Sequence, residues 1–176
     1  MVVFQMDVGG SGNTTVDYVL RLDSREAWGK TKAYNGGEEF SAFFAKSGAD
    51  PSGQLMMSLE GLNWDASVTG AGFADDEPFR VSVWQPTPGK IADIYDTFMK
   101  AKAIHVALGA TVNIYNEGIG GTGNIHYVMS WDSWSSMASS GDAIALSSEF
   151  RALQASATGQ GTPVGSIQGF PVYYSK

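Results

Sequence analysis

His105 and His126 are the two groups whose ordinary pKa lets them trade protons near neutral pH, and the chain contains no cysteine to act as nucleophile or thiolate ligand. His126 lies in the run Ile125-His126-Tyr127-Val128-Met129-Ser130-Trp131, which alternates with a period of two. That period predicts a strand with Ile125, Tyr127, Met129 and Trp131 on one face and His126, Val128 and Ser130 on the other. The preceding run alternates likewise and sets Asn113, Tyr115 and Glu117 against Val112 and Ile114. A third run, starting at Phe79, adds Ser82 and Trp84 by the same alternation. A histidine, a carboxylate, a tyrosine and an asparagine on one sheet face suit acid–base work or the binding of a small polar aromatic molecule. His126, Tyr115 and Asn113 are therefore the candidate catalytic residues, with Trp84, Ser82, Glu117 and Ser130 as candidate ligand contacts. The competing reading is ordinary polar filling between sheets, or a solvated face.

His105 belongs to a different pattern. Ile91, Ile94, Phe98, Ala101, His105 and Leu108 recur at intervals of three and four, which predicts an amphipathic helix over about 90–108 with His105 on its buried stripe. It reads as a core or helix-end histidine, with a ligand role as the alternative. No H-x-x-x-H or H-x-E spacing and no G-x-S-x-G motif is present, so neither a metal site nor a serine hydrolase is expected.

The glycine-rich stretches Gly9-Gly10-Ser11-Gly12-Asn13 and Gly120-Gly121-Thr122-Gly123-Asn124 look at first like phosphate loops. A phosphate loop stands between a strand and a helix N-terminus, whereas each of these joins two alternating runs, and no lysine follows. They read as one hairpin turn written twice.

The duplication extends beyond the turns. Tyr18 to Ser24 lies over Tyr127 to Ser133, Glu39-Phe40 over Glu149-Phe150, and Ser58-Leu59-Glu60-Gly61-Leu62 over Ser166-Ile167-Gln168-Gly169-Phe170, with the offset drifting by only a few residues. The second copy reads β-α-β-β-α-β, a ferredoxin-like unit. Its second helical region is capped at Asp132-Ser133, runs to about 140 and resumes over about 143–155, and a closing strand spans about 164–174. The first copy has no counterpart of the opening strand and helix: it starts inside its second strand, opens its helical region at Asp23-Ser24 and closes on a strand over about 54–62. Either a truncation or a partner chain is expected to account for the missing elements. The division is 1–68 for the incomplete first repeat, 69–78 for a linker and 79–176 for the complete second repeat. In the first copy Asp17 stands at the His126 position and Arg21 at the Ser130 position, so both join the candidate ligand-binding set.

The Pro88-Gly89-Lys90 turn, the Leu108-Gly109-Ala110 helix end, the Gly120-Gly121 turn and the Ser148-Glu149-Phe150 helix, in that order, resemble the dimeric α/β-barrel superfamily, including its antibiotic-biosynthesis-monooxygenase-like and NIPSNAP-like members. The resemblance implies an α+β fold in which tandem ferredoxin-like (βαββαβ) repeats pair antiparallel sheets into a barrel within one chain. It implies a small-molecule site inside that barrel, with His126 pointing into it. Haem-binding relatives carry their histidine on the second helix, where this chain has none, so no cofactor is expected.

Composition narrows the partners. A net charge of −7, with eleven scattered Lys and Arg, leaves no basic patch for nucleic acid or an anionic membrane. No run reaches the roughly 18–20 apolar residues of a membrane span, and no signal-peptide pattern is visible, so a cytoplasmic location is expected. The leading functional expectation is a small-molecule-binding or monooxygenase-like barrel taking a small aromatic or apolar ligand. The alternative is a non-enzymatic structural or self-assembly module, and a homo-oligomer is expected under either.

Overall fold

A computed structural model describes residues 2–9, 16–49, 58–65 and 77–174. The elements are β1 (Val2–Val8), β2 (Val16–Val19), α1 (Arg25–Asn35), α2 (Glu38–Ala49), β3 (Gly61–Asn63), β4 (Phe79–Pro86), α3 (Ile91–Ala107), β5 (Thr111–Glu117), β6 (Ile125–Ser130), α4 (Trp134–Leu146), α5 (Ser148–Ser156) and β7 (Gly161–Tyr174). The fold is α+β, with five helices and seven strands among the described residues. The strands form one antiparallel sheet in the order β2-β1-β7-β4-β6-β5-β3, curled into a half-barrel.

Two compact units divide the chain. The larger, Met1–Val19 with Leu59–Lys176, holds the whole sheet and α3, α4 and α5, and the smaller, Leu20–Ser58, holds α1 and α2. This division cuts differently from the sequence boundary at 69–78, of which 69–76 lie outside the described residues.

The stripe of α3 packs as its period requires. Ile94, Phe98, Ala101, Ile104 and His105 are buried, and the first three join Val112 and Ile114 of β5, with Ile125, Tyr127 and Met129 of β6, in the main core. Each large apolar side chain so buried contributes about 1.5–3 kcal/mol. Gly109, at φ 93°, provides the left-handed step that carries the chain from α3 into β5.

After β6 the helical region breaks later than its sequence suggests. α4 runs unbroken through 140 to Leu146, and α5 starts at Ser148, because Ser147 leaves the helix and its hydroxyl accepts the Phe150 amide proton at 3.1 Å. Ser133 and Ser24 cap α4 and α1 in the same manner, accepting from the amides of Ser136 and Ala27.

The central strand β4 carries buried Phe79 and Val81 on one face, and exposed Arg80 with half-buried Ser82 and Trp84 on the other. Phe79 and Val81 join Met6 in a second core, flanked by Val19, Val83, Val128 and Ile167, while the cross-strand pairs of Ser82 with Tyr127 and Trp84 with Ile125 place Ser82 and Trp84 on the helix face. The helices thus cover the face of Trp84 and not that of the more apolar set Phe79, Val81 and Val83, which the alternation of β4 does not reveal.

Both junctions outside the four strands β7-β4-β6-β5 use one register. Gly169 and Phe170 of β7 face Met6 and Gln5 of β1, and Gly61 and Leu62 of β3 face Glu117 and Asn116 of β5. At each glycine a Cβ would collide with the facing carbonyl oxygen, that of Gln5 or of Asn116. The strand expected over 54–62 is described only as β3, since 54–57 lie outside the described residues.

Candidate functional site

The sheet face turned away from α3 gathers the polar residues of β5 and β6. Tyr115 pairs with His126, Asn113 with Val128 and Thr111 with Ser130, so alternation sets Asn113, Tyr115, Glu117, His126 and Ser130 on one face. On β2, Asp17 pairs with Phe4 and shares a face with Val19, which belongs to the same second core. Burial raises the Asp17 carboxyl above its ordinary value, and His126 pulls it back. The curl of the sheet thus brings β2 within electrostatic reach of β6.

The centre of this face is a carboxylate–histidine pair. His126 Nε2 lies 2.8 Å from Glu117 Oε1, with the Glu117 side chain only 6% exposed and that of His126 26%. The turn after β5 holds the carboxylate. The amides of Thr122 and Asn124 donate to Glu117 Oε2 at 2.7 and 3.2 Å, the Thr122 hydroxyl adds a bond at 3.2 Å, and Asn124 Nδ2 donates to Oε1 at 3.4 Å. Burial alone would raise the Glu117 pKa, but the hydrogen bond from His126 and the two backbone amides outweigh it and hold the carboxyl at about 2.

Glu117 is consequently an acceptor-only carboxylate at neutral pH, and His126 Nε2 must carry the proton between them. In the neutral ring the lone pair then resides on Nδ1, the arrangement in which a carboxylate orients a histidine for proton transfer. Gly120 and Gly123 adopt φ of 85° and 81° to form the turn, and a Cβ on Gly121 would strike the Cβ of Glu117. The glycine-rich stretch therefore cradles an anion after all, and the anion is the chain's own carboxylate. Most of the first stretch, 10–13, lies outside the described residues.

Of the residues named from sequence, His126, Tyr115, Asn113, Glu117, Ser130 and Asp17 share this face. Asn113 is 3% exposed, and its Oδ1 has no hydrogen-bond partner among the described residues. Trp84 and Ser82 do not join them: the Trp84 ring packs edge-on against Phe98 of α3, 5.8 Å between centroids, within the helix-side core. Arg21 follows β2 and belongs to the smaller unit. Sequence reasoning missed Thr122 and Asn124 as supports of the carboxylate. The signal was present, since a Glu shortly before a glycine turn places its side chain within reach of the turn amides.

The helix side carries its own buried polar pair. His105 Nδ1 and the Tyr127 hydroxyl are 2.7 Å apart, and burial holds the His105 pKa down at about 4 and pushes the Tyr127 phenol well up. Both stay uncharged at neutral pH, which matches a core histidine. On this same side Met129, Trp131, Met137 and Phe150, with Arg80 and Arg151, line a cleft of about 330 Å³.

Among the described residues no group of three or more His, Asp or Glu is placed to hold a metal ion, and no helix is long and apolar enough to cross a membrane. No known protein-family model and no curated protein matches the chain.

Proposed function

We propose that this protein is a small-molecule-binding, monooxygenase-like member of the dimeric α/β-barrel group, built from tandem ferredoxin-like repeats, with its ligand on the concave face of the sheet. The repeat reading is supported by the strand order β7-β4-β6-β5 around a β-α-β-β-α-α-β run, and by the matched registers of Gly169 on Met6 and Gly61 on Glu117. The observation that carries the functional reading is the Glu117–His126 pair, oriented by the turn and set beside Tyr115 and the unpartnered Asn113 oxygen. His126 Nδ1 accepts the proton of a ligand hydroxyl, and the positive ring that results is stabilised by Glu117. An aromatic ligand with an acidic hydroxyl fits that chemistry, its ring resting on Val83, Val128 and Ile167.

The test is an amide-resolved NMR titration with 1-naphthol. Binding should shift resonances of Asn113, Tyr115 and His126, and Glu117→Gln should weaken it by about tenfold, the value of one charge-assisted hydrogen bond. Shifts confined to Met129, Trp131 and Met137 would move the site to the helix-side cleft and refute the proposal.

A self-assembly module is the second reading, and one observation favours it. β2 is an edge strand whose Val16 and Tyr18 are exposed, a combination that invites pairing between chains. Light scattering across a concentration series decides it: a mass that stays monomeric removes this reading.

A further inference from the structure

On the sheet face opposite to His126, the cleft of about 330 Å³ lies among β4, β6, α4 and α5 and is large enough for a small ligand. Its deep part is apolar: Met129, Trp131 and Met137 are 9%, 4% and 8% exposed, and Phe150 of α5 lines it too. Arg80 of β4 and Arg151 of α5 line the same cleft and are both exposed, so its mouth is cationic.

These are two of the four arginines in a chain of net charge −7, and among the described residues neither forms an ion pair with a carboxylate. Arg80 donates to the Gln168 side-chain oxygen at 3.3 Å, and Arg151 to the carbonyls of Ala145 and Leu146 at 3.4 and 3.3 Å. All three acceptors are neutral. A guanidinium carries five N–H donors, so each arginine keeps its charge uncompensated and has donors left for a further acceptor.

A second observation concerns the space itself. Gly141 stands inside α4, between Met137 and Ala145 in a row of residues four apart that all line the cleft. Glycine is among the poorest residues for a helix interior. No packing demands it here, because a Cβ at Gly141 would meet no described atom within 4 Å beyond its own helix. What the glycine supplies is room in the cleft.

We infer that this cleft is a second ligand site, separate from the Glu117–His126 face, and that it takes a small aromatic carboxylate. The ring enters among Trp131, Phe150 and the two methionines, where edge-on and sulfur–aromatic contacts favour an aromatic body. The carboxylate stays at the mouth and accepts from Arg80 on the sheet and Arg151 on α5. A neutral ring of the same size gains the first set of contacts and lacks the second. Charge therefore separates the ligands of the two faces: His126 takes the proton of a neutral hydroxyl, whereas the arginines take a ligand already ionised.

The experiment is an amide-resolved NMR titration of the full chain with 1-naphthoate at pH 7, beside its neutral analogue 1-naphthylmethanol. The largest shifts with 1-naphthoate should fall at Met129, Trp131, Met137 and Phe150. It should bind at least about tenfold more tightly than the alcohol, as for a ligand held by charge-assisted hydrogen bonds. Arg80→Met and Arg151→Met should each reduce that preference by about threefold, and the double variant should abolish it. Gly141→Leu, which favours the helix and meets no clash, should block binding while the spectrum stays that of a folded chain. Equal affinity for acid and alcohol, binding that survives Gly141→Leu, or no shift with millimolar 1-naphthoate overturns the inference. Shifts centred on Asn113, Tyr115 and His126 overturn it likewise, by moving the acid to the concave face. Titration of Gly141→Leu with 1-naphthol reads the functional proposal separately, since that substitution leaves the His126 face unaltered.

Discussion

The hairpins β1–β2 and β5–β6 carry the same alternation around a near-identical glycine turn, yet they end in opposite circumstances. In the second hairpin Ile125, Tyr127 and Met129 lie under α3 and α4 and are buried. In the first, Val16 and Tyr18 are more than half exposed. The polar faces differ too. Glu117 and His126 form the oriented pair of the second hairpin, while by the cross-strand register Met6 and Asp17 hold the corresponding places in the first. One hairpin pattern is therefore buried in one place and, among the described residues, an exposed edge in the other. What decides between them is the helix packed above.

Substitutions in matched pairs are the sharpest way to break this comparison. Ile125→Ala should cost about 3 kcal/mol in urea denaturation, as for other fully buried isoleucines. Val16→Ala should stay within about 0.5 kcal/mol, the range of exposed positions. Equal effects would mean that the first hairpin is covered in solution. Glu117→Gln comes next, at about 2 kcal/mol at pH 7, since it removes a carboxylate that several donors converge on. Because the folded Glu117 pKa is held at about 2 against an ordinary 4.5, its contribution is present above pH 4.5 and lost as pH falls toward 2. A stability–pH profile of the glutamine variant should be flatter across that window.

His105 has a separate window. Its pKa is held at about 4 rather than 6.5, so the unfolded chain binds the proton first, and stability declines as pH falls from 6.5 toward 4. His105→Gln should remove that slope, and an unchanged slope would place its cause elsewhere. Among the buried positions the smallest expected effect is the loss of one hydrogen bond in Tyr127→Phe, about 1 kcal/mol, against no measurable change for exposed Tyr18→Phe. Comparing the two tyrosines tests whether their different surroundings persist in solution.

Much of the local structure was legible in the sequence. β4 ends at Pro86 as its pattern suggests, α3 spans the predicted stripe, and Ser24 and Ser133 cap their helices. These features are local: a period, a proline or a cap acts within a few residues. The polar set of β5 and β6 was legible for the same reason, since adjacent hairpin strands share an alternation. Trp84 and Ser82 were misplaced because each face of β4 carries a large apolar side chain, Phe79 on one and Trp84 on the other, so its period leaves its orientation open. The break at Ser147 was a local signal overlooked, a serine whose hydroxyl reaches the Phe150 amide.

The sequence by itself determined the alternation of each strand, the helical stripe with His105 inside it and the doubling of the glycine turn, because each is a repeat along the chain. Only the tertiary structure decided which face of β4 meets the helices, that Asp17 comes within the field of His126, and that Glu117 is fixed by the turn that follows it. Those depend on the curl and register of the sheet, which juxtapose residues far apart in sequence through cross-strand hydrogen bonds that no local period encodes.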